Sequence, residues 1–82
     1  MPTVLRIARF RVVIFLPPRE HQPPHVHVRN AEGEVVIELR SPGTPQMIRD
    51  AVGMRNRDVV TAFRIVGAHT EYLLERWREY HG

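Results

Sequence analysis

The sequence predicts an α+β fold, a small antiparallel sheet of three to five strands with a long C-terminal helix packed on one face. Three observations lead there. β-Branched and aromatic runs fill the first half of the chain, a glycine turn joins two alternating segments near residue 33, and an apolar stripe at helical spacing runs from Val59 to Tyr80. A chain of 82 residues holds one domain with one modest core: strands at about 4–40, a turn-rich linker at 41–55 and a helix at about 57–80.

Val4 to Ile7 and Phe10 to Phe15 are separated only by Ala8 and Arg9, and read as two strands or one long bent one. Phe10, Val12 and Ile14 share one face of the second run, and Arg11, Val13 and Phe15 share the other. Both faces are partly apolar, which predicts a central strand. Pro17, Pro18, Pro23 and Pro24 bracket "REHQ" and exclude a helix or ladder there, so residues 16–24 read as a stiff loop.

His25 to Arg29 resumes strand alternation, and Gly33 supplies the permissive turn residue of a hairpin into "EVVIELR". A two-residue loop at Glu32 and Gly33 pairs His27 with Glu38, whereas a four-residue loop pairs His25 with Glu38. Either register sets Glu38 on the histidine face. Val26 and Val28 then share the opposite face with Val35, Ile37 and Leu39, an apolar surface for a core.

"SPGTP" at 41–45 is a turn-forming linker, and residues 46–55 fit a short strand or a helical turn. Asn56 is the expected N-cap, with Asp58 in the first turn where the helix dipole favours an anion. Val59, Phe63, Val66, Thr70, Leu73, Trp77 and Tyr80 then recur at alternating four and three, and Gly67 is placed to kink or divide this helix. Its stripe is expected on the valine face of the sheet. The histidine face is then open or a dimer surface.

Every one of the 12 basic residues is arginine, and the formal charge is +3. Arginine's planar fork suits phosphate and carboxylate, but a genomic base-composition bias also replaces lysine with arginine, so charge alone does not make a nucleic-acid binder. Without cysteine there is no disulfide or thiolate site, and any metal would need histidine and carboxylate ligands. The longest apolar run, "VVIFLPP", is far shorter than the roughly 18 residues a membrane span needs, and the N-terminus lacks a secretory signal pattern. A cytoplasmic location is expected.

Alternate strand residues point the same way, so His25 and His27 can converge on one group, with His21 four residues upstream on the proline-braced loop. Three uses fit. In acid–base cleavage of a phosphodiester, two imidazoles act as base and acid, Glu38 orients one ring, and Arg11, Arg29 or Arg40 holds the phosphate. In a metal site, His21, His25 and His27, with Glu38, supply nitrogen and oxygen ligands. In the structural alternative the imidazoles lie on a solvent-facing edge, or pack under the proline loop with hydrogen bonds to backbone carbonyls. "HVHV" is also similar to the histidine-triad nucleotide hydrolases, but their pattern needs a third alternating histidine, and here the neighbours are Pro23 and Arg29. Trp77 and Tyr80 fall on the apolar stripe and read as core or interface. His69 reads as helix surface, His81 as an uninformative residue near a terminus, and the Glu71, Glu75, Glu79 series with Arg76 and Arg78 as a solvated helix face.

The opening "MPTVLRI", the segment "EHQPPHVHV" and the closing "LLERWREYHG" together resemble a small bacterial family, Domain of Unknown Function 4160, over essentially the whole chain. The family motif falls on His21, Pro23, Pro24, His25, His27 and Val28. The sequence departs from the commoner family pattern at "AEGEVVIELR", which replaces glycine-rich hairpins, and in the apolar character of "FRVVIFL". The resemblance implies a second small protein encoded nearby, from Domain of Unknown Function 2442, in a toxin–antitoxin-like arrangement. The leading expectation is therefore a toxin-like component whose histidine face contacts RNA or another phosphate ligand, as a binder or as a metal-independent endoribonuclease with no cofactor. The other is a non-enzymatic binding or regulatory module that works with the second small protein or as a homodimer. Neither expectation involves a membrane.

Overall fold

A computed structural model describes residues 3–16 and 23–82. The chain forms β1 (Thr3–Ile7), β2 (Phe10–Val13), β3 (His25–Arg29), β4 (Glu34–Glu38), β5 (Met47–Val52), α1 (Asn56–Ala68) and α2 (Thr70–His81). The five strands make one antiparallel sheet in chain order. Ala8 and Arg9 are a two-residue turn, so the first two apolar runs are separate strands, with Ala8 at φ 53°. The ambiguous segment at 46–55 contains the fifth strand, β5, at the sheet edge. The expected stiff loop falls largely at 17–22, outside the described residues.

Register follows the four-residue hairpin loop: Arg29 pairs with Glu34, His27 with Val36 and His25 with Glu38. Asn30 holds that loop, its Oδ1 accepting from the backbone N–H groups of Glu32 and Gly33 at 2.9 Å each. Gly33 has a different task from the expected one. Its φ is not positive, but a Cβ there would lie 2.1 Å from the Val52 carbonyl oxygen, so it is needed for space where the hairpin crosses the β5–α1 connection.

The expected apolar face is the core. Val12, Val26, Val28, Val35 and Ile37 are fully buried, and one cluster joins them to Ala62 and Val66 of α1 and Leu73 and Trp77 of α2. Each buried valine, isoleucine or leucine among them contributes on the order of 1.5–3 kcal/mol by leaving water.

The single long helix of the sequence reading is corrected to two helices. The stripe runs through the break, with Val66, Thr70, Leu73 and Trp77 all buried. The backbone leaves helical geometry at His69 (φ −118°, ψ 22°), two residues past Gly67. The Thr70 hydroxyl donates to the Val66 and Gly67 carbonyls and occupies acceptors near the break. Asn56 is the first helical residue rather than the cap; Arg55 stands at the cap position without a side-chain capping bond, and Asp58 lies in the first turn as expected. Tyr72 donates to the Val4 carbonyl at 2.9 Å, which ties α2 to β1. Among the described residues no helix is long and apolar enough to cross a membrane.

Candidate functional site

Strand alternation and the observed register place His25, His27 and Arg29 of β3, with Glu34, Val36 and Glu38 of β4, on the face opposite the valines. Arg11 and Val13 of β2 stand beside Arg29 and His27 there, and Arg6 of β1 stands beside Arg11. Two histidines sharing a face do not share an environment.

His27 belongs to a charged cluster. Its Nδ1 donates to Glu34 Oε2 at 3.1 Å, while Arg29 Nε donates to Glu34 Oε1 at 2.6 Å. Burial raises the Glu34 pKa, but the hydrogen bonds and charges of Arg29 and His27 outweigh it and hold the carboxyl below its ordinary value. An ionised carboxylate only accepts, which assigns the His27 proton to Nδ1. The Phe15 ring meets His27 edge-on at 4.5 Å and lies 5.4 Å below the Arg29 guanidinium. The His27 side chain retains 12% exposure.

His25 belongs to the interior, at 1% exposure. Its Nδ1 donates to the Pro23 carbonyl at 2.9 Å, the arrangement of the structural alternative, and its ring lies 5.1 Å from Trp77 and 5.4 Å from His27. His81 stacks on the far side of this chain, 3.8 Å from Trp77, and donates from Nε2 to the Phe15 carbonyl at 2.8 Å. A residue expected to be uninformative thus fastens the end of α2 to the segment that follows β2, beside the site. Trp77 is core, as its place on the stripe predicts. His69 is half-buried at the helix break, with Nδ1 2.9 Å from the Ile65 carbonyl.

Glu38 stands opposite His25 in register, yet its carboxylate accepts from Arg49 Nε at 3.0 Å. Arg40 lies at the other end of the sheet, lining a cleft of about 1060 Å³ with Pro23, Pro24 and Trp77. Arg11 and Arg29 instead line a shallow depression of about 560 Å³ with the Asn30–Gly33 turn, Glu34 and Val52. The structure therefore brings together Arg11, Arg29 and His27 but not Glu38 and Arg40. His21 lies outside the described residues, among which no group of three or more His, Cys, Asp or Glu is placed to hold a metal.

Sequence reasoning missed Glu34, Arg6 and Phe15. The signals existed: a four-residue loop sets Arg29 opposite Glu34, and a two-residue turn at Ala8 and Arg9 sets Arg6 opposite Arg11.

The sequence model of the family described as "Domain of unknown function (DUF4160)" matches residues 10–78, most of the chain. No curated protein and no solved structure matches significantly.

Proposed function

The chain belongs to the DUF4160 family, and we propose that this member contacts RNA through the face that carries Arg11, Arg29 and His27. It does so in the cytoplasm as the toxin-like member of a toxin–antitoxin-like pair, a setting supplied by the family resemblance. The single observation behind RNA contact is the pair Arg11 and Arg29, side by side in direct register. Like charges directly opposite destabilise a ladder; Glu34 already bonds Arg29, so the charge a bound phosphate would meet is that of Arg11. In this reading the two helices seat on the valine face, an arrangement supported by the shared apolar cluster.

The proposal is for binding rather than cleavage. A two-imidazole mechanism needs both rings at the substrate, and His25 is buried against Trp77 with Nδ1 bonded to a backbone carbonyl. His27 has its Nδ1–H engaged by Glu34, so phosphate contact falls to the two arginines. For the second small protein, the β5 edge offers Met47, Ile48 and Val52, exposed at 48%, 46% and 65%, a surface open to strand pairing.

Fluorescence anisotropy with labelled single-stranded RNA tests the reading. The wild type is expected to bind in chelator and leave the RNA intact, and Arg11→Gln/Arg29→Gln to weaken binding by about tenfold or more, a total loss of at least roughly 1.4 kcal/mol. Equal affinity in the double variant, shown folded by circular dichroism, would contradict it.

A further inference from the structure

We infer that Arg6, Arg11 and Arg29 form one row that holds the phosphates of a single RNA strand laid across β1, β2 and β3, without regard to base. The inference rests on the reading above and names the form of RNA bound. Arg6 faces Arg11, and Arg11 faces Arg29, in direct register. Three cationic stems therefore rise from adjacent strands at the sheet spacing of about 4.8 Å, with the outer two Cα atoms roughly 10 Å apart. Like-charged neighbours are unfavourable, and among the described residues Glu34 offsets only the Arg29 end, which leaves the Arg6–Arg11 pair as the stretch an added anion would relieve. The carboxylate at the β4 end, Glu34, bonds Arg29 alone of the three. Arg6 is exposed and Arg11 half-buried, and among the described residues neither makes an ion pair or a side-chain hydrogen bond.

A line of charge crossing the strands fits a linear polyanion better than one compact phosphate, which would reach one or two forks. Base identity does not enter, because among the described residues the row lacks a stacking platform. The Phe15 ring is engaged by Arg29 and His27, and the exposed aromatic, Tyr72, belongs to α2. Contact is then with phosphates, and its signature is salt dependence.

The test is anisotropy with fluorescein-labelled oligouridine and mixed-sequence RNA dodecamers across a salt series. Three phosphate contacts predict a log–log slope of about −2, hence an affinity loss of about 20-fold between 50 and 200 mM salt. Arg6→Gln removes one contact, so its slope falls to about −1.4 and its loss over the same range to about sevenfold. Arg6→Lys keeps the wild-type slope, as does Arg64→Gln, which removes an exposed cation from α1. The two RNAs should bind alike. If Arg6→Gln matches the wild type while Arg11→Gln/Arg29→Gln is weakened, the row is wrong and the broader RNA-contact reading stands. A strong preference for one RNA overturns base-independence. No salt-dependent binding by the wild type overturns both readings.

Discussion

Glu34 concentrates the electrostatics of the candidate site, with one oxygen on Arg29 and the other on His27. Its folded pKa is depressed: burial raises it, and the hydrogen bonds and charges of Arg29 and His27 more than reverse that effect. The resulting stabilisation is complete above the ordinary glutamate value, near 4.3, and is lost as pH falls through the depressed folded value. Glu34→Gln should therefore flatten the acid side of the stability curve, read as denaturation midpoint against pH. It should also tighten RNA binding about two- to fivefold, because it removes the carboxylate beside the arginines. Weaker binding in Glu34→Gln would mean that the oriented His27 ring matters more than charge. At this scale the sequence set Glu38 on the histidine face, as the register has it, and did not single out Glu34, whose carboxylate bonds His27. Glu38 is opposite an imidazole in backbone register, but side-chain reach decides the contact, and Glu34 reaches His27 on the diagonal. Burial separated the two histidines, and alternation alone treats them as equivalent.

The β3–β4 hairpin carries most of the site, and its loop shows how an element is fixed from outside itself. Gly33 lies where a side chain would strike the Val52 carbonyl, whereas Gly43 has φ 80° and open space around it. Gly33→Ala should cost at least about 3 kcal/mol through overpacking, a fall in Tm of about 15 °C or more. Gly43→Ala should cost only about 1 kcal/mol, from left-handed backbone strain. Equal losses in thermal unfolding would refute the spatial role of Gly33. The valine face was legible because period-two alternation in Val26, Val28, Val35 and Ile37 is strong and local. The β5 strand was ambiguous because all six of its residues are exposed, which leaves no apolar alternation to read. The helix break was displaced from Gly67 to His69 because the apolar stripe continues unbroken across it.

Across the whole molecule, the sheet divides two tasks between its faces. One face supplies the valines of the core, and the other supplies Arg6, Arg11, Arg29, His27 and Glu34. Charge composition could not reveal this division, since 12 arginines spread over 82 residues fit a solvated surface equally well. Strand register turns three of them into a row. The most direct test is a titration of isotopically labelled protein with single-stranded RNA, followed by backbone amide chemical shifts. The largest changes should fall on β1, β2 and β3 around Arg6, Arg11, His27 and Arg29, while α1 and β5 stay unperturbed. Changes centred on α1, α2 or the β5 edge, with the arginine row silent, would contradict RNA contact through this face.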